Sequence, residues 1–135
     1  DLGVKHLATL SDGTIVPNTR ALGARLKALR KAQRALSRKI KGSARREKAK
    51  VRVAKLHARV ADVRADAIHK ATAMIAQTYS VVCIEDLNVA GMVKNRCLAR
   101  SVSDASLGEF RRQLEYKTAR TGAVLRVVDR WYPVQ

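Results

Sequence analysis

The chain has 135 residues, of which 28 are Lys or Arg and 11 are Asp or Glu, so its formal net charge is +17. This length allows one domain at most, and no apolar run approaches the roughly 18 residues of a transmembrane helix. The sequence does not open with an apolar segment and a small-residue cleavage site, so we expect a soluble protein that is not secreted. So large an excess of cations predicts a polyanionic partner, and nucleic acid is a more common one than a membrane surface.

The two cysteines, Cys83 and Cys97, lie 14 residues apart and form no Cys-x-x-Cys pair. An intracellular protein keeps such thiols reduced. We therefore expect neither a disulfide framework nor a zinc site.

The chain begins with two short β-prone runs, at 4–10 and 14–16, which are separated by Ser11, Asp12 and Gly13. Asp-Gly is a common turn sequence between antiparallel strands. This segment is therefore predicted to be a β-hairpin.

The next part is strongly basic. Residues 20–59, called the basic arm below, hold 16 of the 28 Lys and Arg residues and one acid, Glu47. Apolar residues recur at alternating spacings of four and three, as in helices with a narrow apolar seam. Gly42 and Ser43 can end one helix and begin the next, so we predict a long antiparallel helical hairpin at about 20–78. The seam residues are Leu22, Leu26, Leu29, Leu36 and Ile40 in the first helix, and Ala49, Val53, Leu56, Val60, Val63, Ala67 and Met74 in the second.

A run of four consecutive apolar residues within 80–87 predicts a strand buried on both faces, with Glu85 and Asp86 at its carboxyl end. An acid there, paired in space with an acid on a neighbouring strand, can bind Mg²⁺ or Mn²⁺ because hard cations prefer carboxylate oxygens. Asp1 and Glu85 are the candidate pair. On sequence position alone, a solvated strand end is the favoured interpretation of Glu85 and Asp86.

A further helix is predicted to open at 103–106 and to end at 121–122, with Lys117 reaching from its apolar face to solvent. A last strand follows at 123–129. The order strand, strand, two helices, strand, helix, strand predicts an α/β fold with a sheet of mixed direction.

The basic helices are predicted to contact phosphates. A solvated helix usually mixes both signs of charge, which pair four residues apart, whereas the basic arm is almost purely cationic. Trp131 and Tyr132 could stack on bases, but packing at a strand end is an equally good interpretation. The candidate nucleic-acid-binding residues are Arg25, Arg30, Lys31, Arg34, Arg38, Lys39, Lys41, Arg45, Arg46 and Lys94.

Taken together, five collinear segments that cover nearly the whole chain resemble the OrfB/TnpB family of insertion-sequence transposons. Several motifs in the right order are far more specific than any one of them. The segments are DLGVKHLATLSDG at 1–13, LSRK and KGS within 36–43, IEDLNV and GM within 84–92, SDAS and GEF within 103–110, and VDRWYP at 128–133.

The resemblance implies a RuvC-like nuclease domain with a ribonuclease H-like fold, from an RNA-guided DNA endonuclease related to type V CRISPR effectors. In that family the first-strand Asp and the Glu of the central strand are metal ligands, which implies Asp1 and Glu85 as catalytic ligands of Mg²⁺ or Mn²⁺. The resemblance also implies guide RNA and target DNA as partners, held by the basic helices, and a cytoplasmic, nucleoid-associated prokaryotic protein.

The chain departs from the family pattern at both ends. Asp1 has no preceding strand residues, and the sequence stops at Gln135, before the family's zinc ribbon and the third catalytic Asp on a terminal helix. The expectation is therefore a fragment of the nuclease domain that hydrolyses DNA phosphodiesters when complete. The alternatives are a catalytically incomplete module that binds RNA or DNA without cutting it, and an unrelated basic protein of a ribonucleoprotein particle.

Overall fold

The computed structural model describes residues 2–129 and 131 of the chain. Strands and helices are interspersed along that part, which confirms the predicted mixed α/β class. In chain order the elements are β1 (His6–Thr9), β2 (Ile15–Pro17), α1 (Ala21–Ser37), α2 (Ala44–Thr78), β3 (Val81–Glu85), α3 (Val89–Lys94), α4 (Ala99–Ala105), α5 (Leu107–Thr121) and β4 (Val124–Val128).

The predicted β-hairpin is present, as strands β1 and β2 pair in antiparallel fashion. Gly13 takes a φ of 86° in the turn, a conformation that a side chain would strain. The Asp12 carboxylate accepts hydrogen bonds from the backbone N–H of Thr14 and from the hydroxyl of Tyr79. The turn is thus tied to the residue that follows α2.

The two long helices predicted from the apolar seams are α1 and α2. Ser43 caps the start of α2, since its hydroxyl accepts a hydrogen bond from the backbone N–H of Arg46 at 3.2 Å. Gly42, with a φ of 81°, precedes this cap. The first helix ends at Ser37, earlier than the seam predicted, and Ile40 lies in the connecting turn with 80% of its surface exposed.

The contact between the two helices is narrower than the predicted seam. Leu29 and Val60 are buried, in a small cluster together with Ala21. In contrast, Val63 and Met74 are 40% and 37% exposed. The prediction of a single seam along α2 is wrong there, because its second half turns a different face, with Ile68, Ala71 and Ile75, toward the core under the strands and α5.

The second pair of strands, β3 and β4, is parallel, with Val81 opposite Val124 and Glu85 opposite Val128. Helices α3 to α5 form the connection between them, as parallel strands require. The predicted helix opening at 103–106 is displaced: Ser103–Ala105 end α4, Ser106 has a φ of 53°, and α5 begins at the next residue. Gly122 ends α5, as predicted.

Two expectations about the sheet need correction. In the described residues, β1 and β2 form one two-stranded sheet and β3 and β4 another, so they do not form one mixed sheet. Strand β3 is also buried on one face only, because Val82 and Ile84 face the core whereas Val81 and Cys83 are exposed. A continuous apolar run therefore does not establish that both faces are covered.

One apolar core joins both sheets to α2, α4 and α5. Its buried side chains come from β1, β2, α2, β3, α4 and α5. None of the helices in residues 2–129 is long and apolar enough to cross a membrane. The buried core residues are Leu7, Ala8, Val16, Ile68, Ala71, Ile75, Val82, Ile84, Val102, Ala105, Leu107, Phe110 and Leu114.

Candidate metal centre and nucleic-acid interface

Glu85 is the last residue of β3 and is half-buried. Because β3 and β4 are parallel, their carboxyl ends meet at the same edge, and the backbone N–H of Asp86 donates to the carbonyl of Val128 at 2.8 Å. Asp129 follows β4 at this edge. A cavity of about 280 Å³ lies here, lined by Asp86, Asn88, Asp129 and Trp131. The edge therefore gathers acidic and polar groups around this cavity, although Glu85 is not among the residues that line it.

The two adjacent acids at this edge have different surroundings. Asp86 accepts a hydrogen bond from the guanidinium of Arg111 at 2.6 Å, and the same guanidinium contacts Glu115 at 3.1 Å. These contacts, with Asp86 first, raise the pKa of Arg111. In residues 2–129 and 131, the carboxylate of Glu85 has no hydrogen bond or ion pair. Of these two acids, Glu85 is thus the one whose carboxylate no described residue contacts by a hydrogen bond or ion pair, so its oxygens could bind a ligand.

The partner predicted for Glu85, Asp1, lies outside the described residues, so their pairing stays a prediction. Nearby, Leu2 forms an antiparallel bridge with Ala8 in the first sheet. Within the described part, no three His, Cys, Asp or Glu side chains form a group that could hold a metal ion. A carboxylate oxygen suits Mg²⁺ or Mn²⁺, so Glu85 fits as one ligand, but the described residues do not make a complete site.

The candidate nucleic-acid-binding residues are on the two long helices and the turn between them, with one on α3. Eight are exposed, whereas Arg25 and Arg46 are half-buried. Arg46 donates from its guanidinium to the carbonyls of Leu36 and Lys39, at 3.1 and 3.2 Å. It therefore holds the turn between α1 and α2. The exposed ones are Arg30, Lys31, Arg34, Arg38, Lys39, Lys41, Arg45 and Lys94.

The charge of the basic arm is almost uncompensated. Its acid, Glu47, pairs with Lys50 at 2.7 Å, which is the only ion pair of this segment among the described residues. Both side chains of that pair are more than half exposed. Apart from the half-buried Arg25 and Arg46, the remaining cations of the arm thus present their charge to solvent, as a phosphate-binding surface requires.

Sequence reasoning missed the role of Asp104, which joins the basic arm to the core. Its carboxylate accepts hydrogen bonds from the guanidinium of Arg64 at 2.8 Å and from the backbone N–H groups of Leu22 and Gly23 at 2.9 and 3.3 Å. Burial opposes ionisation of Asp104, but these three contacts together lower its pKa. Arg20, before α1, provides no side-chain cap, so Asp104 caps that helix from a distance.

The prediction that Lys117 reaches solvent is wrong. Lys117 is 7% exposed, and its ammonium donates to the carbonyl of His69, the hydroxyl of Thr72 and the side-chain oxygen of Gln113, at 2.8, 2.7 and 3.0 Å. Burial lowers the pKa of Lys117. Three acceptors make the buried charge tolerable, so the ammonium fastens α5 to α2 rather than binding an external anion.

For Trp131, base stacking and packing at a strand end were equally good interpretations of the sequence. Its side chain is 79% exposed and lines the cavity at the strand ends. It is not part of the apolar core. Tyr132 lies outside the described residues. Cys83 and Cys97 are both free and exposed, which agrees with the expectation of no disulfide.

Comparison with known proteins places these features in a family. The family model OrfB_IS605, described as "Probable transposase", matches residues 1–96. A Mycobacterium tuberculosis protein named "Putative RNA-guided DNA endonuclease" is 42% identical over 98% of this chain and 31% of its own length. A Streptomyces pristinaespiralis protein of the same name is 46% identical over 98% of this chain and 33% of its own length.

A third relative, "Putative RNA-guided DNA endonuclease InsQ" of Escherichia coli K12, is 38% identical over 94% of this chain and 36% of its own length. The chain thus spans about a third of the length of the curated relatives it matches. The family model covers well over half of the chain and includes Glu85. This chain belongs to the OrfB/TnpB family of transposon proteins.

Proposed function

We propose that this chain is the nuclease-core segment of a transposon-associated, RNA-guided DNA endonuclease. In this proposal it has a RuvC-like, ribonuclease H-type fold, and Asp1 and Glu85 bind Mg²⁺ or Mn²⁺ for phosphodiester hydrolysis. The observation that carries the proposal is the contrast at the end of β3, where Arg111 pairs with Asp86 and leaves the Glu85 carboxylate open from the described part of the chain. The names of three relatives, each of which contains "Putative RNA-guided DNA endonuclease", support the same activity.

Glu85 has the properties of a preorganised ligand. It is the last residue of β3, and Val82 and Ile84 of the same strand are buried in the core, so the core fixes the position of its backbone. Asp86 is fixed by Arg111 on one side and by its backbone bond to Val128 on the other. The chemistry that a divalent ion supplies when bound there is activation of water and stabilisation of the leaving oxygen. The residues of this chain would orient that ion relative to the DNA.

The basic arm is proposed to bind guide RNA and target DNA through their phosphates. Recognition of this kind depends on charge and shape rather than on base sequence, because base pairing between guide and target supplies the sequence. The exposed cations of α1, α2 and their connecting turn suit such contacts. Binding is then expected to weaken as salt rises, by roughly 0.7 to 0.9 in log K per contacted phosphate for each unit of log salt.

The test compares two neighbouring acids in a full-length protein that contains this segment. Glu85→Gln keeps the shape of the side chain but removes the charge that a cation needs, so we expect DNA cleavage to fall by at least about a hundredfold while RNA binding is unchanged. The matched variant Asp86→Asn weakens only an ion pair that is mostly exposed, so cleavage is expected to fall far less. Cleavage and RNA binding are measured side by side.

Equal cleavage by wild type and Glu85→Gln would overturn Glu85 as a ligand.

A second candidate function, a module that binds RNA or DNA without cutting, is favoured by the uncompensated charge of the basic arm. It predicts salt-dependent RNA binding by the wild-type protein, and no Mg²⁺-dependent cleavage that Glu85→Gln could remove. The two functions therefore separate in the same experiment.

A further inference from the structure

A groove of about 480 Å³ lies between α1 and α2 within the basic arm. Its apolar floor is formed by three alanines of α1 and two larger residues of α2. Because the alanine side chains are small, the groove has room for side chains of another molecule. The floor residues are Ala28, Ala32, Ala35, Val51 and Leu56.

Beside this groove, α2 lacks the burial that it has further along the chain. All the buried residues of α2 lie at Val60 or beyond, so residues 44–59, about the first half of the helix, contain none. In that half, Val51 is 52% exposed although it faces the groove. Helices gain most of their stability by packing an apolar face against another element. The first half of α2 therefore presents an apolar face that the described residues only partly cover.

The rim of the groove is purely cationic. Five basic residues line it, and Glu47 does not, since its carboxylate pairs with Lys50. Long basic side chains can lay their aliphatic stems along apolar surface and keep their charges at the edge. The groove thus combines an apolar floor with a ring of positive charge. The rim residues are Lys31, Lys48, Arg52, Lys55 and Arg59.

We propose that this groove binds an acidic amphipathic helix of a partner protein. Such a helix would place aliphatic side chains at three- and four-residue spacing on the floor and Asp or Glu beside the rim, completing a three-helix bundle. A nucleic-acid backbone would use the cations but would gain little from Ala35, Val51 and Leu56, since its phosphates and oxygen-rich sugars offer little apolar surface to bury there. The proposal does not depend on the nuclease activity proposed above, but it shares one cation, Lys31, with the proposed nucleic-acid interface.

The experiment measures binding of a fluorescent peptide to the whole chain by anisotropy. The probe is a helical peptide of about three heptads with Leu at the core positions and Glu beside them. One control peptide has Lys in place of Glu, and another has the same composition in scrambled order. We expect only the acidic amphipathic probe to bind tightly, and its helicity measured by circular dichroism to rise on binding.

Two pairs of variants locate the site. Val51→Asp puts a charge on the floor and is expected to weaken binding about tenfold or more, whereas Ala61→Asp, an equal charge change on an exposed position of α2 outside the groove, leaves it within about twofold. Lys55→Glu on the rim is expected to weaken binding similarly, and Lys50→Glu, outside the groove, much less. Far-UV circular dichroism of each variant shows that the helices are retained.

Three outcomes would overturn the proposal. Equal binding of the scrambled peptide would mean that general charge attraction is responsible. Equal weakening by Val51→Asp and Ala61→Asp would place the site elsewhere. Displacement of the probe by a short RNA whose own affinity falls much more with Val51→Asp than with Ala61→Asp would make the groove a nucleic-acid site instead.

Discussion

The core around β3 and α5 and the basic arm use charge in opposite ways. In the core, Asp86 pairs with Arg111 and Glu109 with Arg112, whereas Glu85 and Asp129 have no ion pair among the described residues. In the arm, sixteen cations share one acid. Most charges of the core thus pair with one another, whereas most cations of the arm are exposed and have no acidic partner among the described residues. The two regions are joined by the continuous helix α2 and by the side chain of Asp104.

The comparison teaches that the two regions should respond differently to the same kind of substitution. A change in the core should alter folding first and function through folding. A change in the arm should alter binding with little effect on folding. Substitutions of similar size in the two regions test this directly.

The largest expected effect on stability is that of Phe110→Ala. Phe110 is 1% exposed in the core, so its removal leaves a cavity, and we expect a loss of roughly 3–5 kcal/mol in the free energy of unfolding. Ile40→Ala, at the tip of the arm where Ile40 is 80% exposed, is the matched truncation and should cost less than about 0.5 kcal/mol. Urea unfolding measures both, and equal losses would break the comparison.

These two residues also show how far the sequence could predict the fold. The periodicity around Phe110 and the stop at Gly122 were enough to predict the body and the end of α5, but not its start, because Ser103–Ala105 belong to α4. Ile40 continues the same spacing as the α1 seam, but α1 ends before it. Apolar spacing predicts which residues can share a helix face, but it does not predict where the helix ends. Here the end depends on the turn after α1, which Arg46 stabilises by donating hydrogen bonds to the carbonyls of Leu36 and Lys39.

The candidate site was predictable only where a local sequence pattern marks its residues. Glu85 falls at the end of an apolar run, which local pattern reveals. Asp104 accepts from the backbone of Leu22, 82 residues away, and no local pattern records such a contact. The exposure of Val81 and Cys83 likewise depends on which elements lie over β3. The pairing of Glu85 with Asp1 stays a prediction because Asp1 lies outside the described residues.

The next largest effect is expected for Asp104→Ala, which breaks the connection between core and arm. It removes a cap from α1 and leaves the guanidinium of Arg64 without its carboxylate. Because Arg64 is 24% exposed and can regain some water, we expect a loss of about 2–3 kcal/mol. Hydrogen exchange should show faster opening at the start of α1 than in α5. Uniform acceleration across both helices would mean that the two regions unfold as one unit.

Asp104 also gives the stability of this connection a pH dependence. Its pKa is lower in the folded protein than the ordinary value of 3.8. A depressed pKa means that its stabilising effect is complete above the ordinary value and is lost as pH falls through the folded value. The wild-type protein should therefore lose stability below about pH 4, and Asp104→Ala should lose less over that range.

Glu109 makes a smaller acid-dependent contribution within the core. Arg112 first, and then Gln113, lower its pKa from 4.5 to about 2. Its stabilising effect is therefore present above pH 4.5 and lost as pH falls toward 2. The Glu109 side chain is 37% exposed, so solvent screening limits the effect of Glu109→Gln near neutral pH to less than about 1 kcal/mol. Urea unfolding at about pH 6 and pH 3 should show a smaller pH-dependent loss in the variant than in the wild type.

The double variant Arg30→Gln and Arg45→Gln in the arm is expected to change stability least. Its expected effect is on RNA binding. Both guanidiniums are exposed, and Arg45 lies in the first turn of α2, where the helix dipole disfavours a cation. The unfolding free energy should therefore stay constant or rise by a few tenths of a kcal/mol. RNA binding should weaken, and the slope of log K against log salt should become shallower by roughly 0.7 per lost contact with single-stranded RNA. Arg46→Gln is the matched change at a cation that holds the turn, and it should lower stability instead. If the double variant kept the full salt slope, its two cations would not contact phosphate, and the division between a self-paired core and a ligand-facing arm would not hold at these positions.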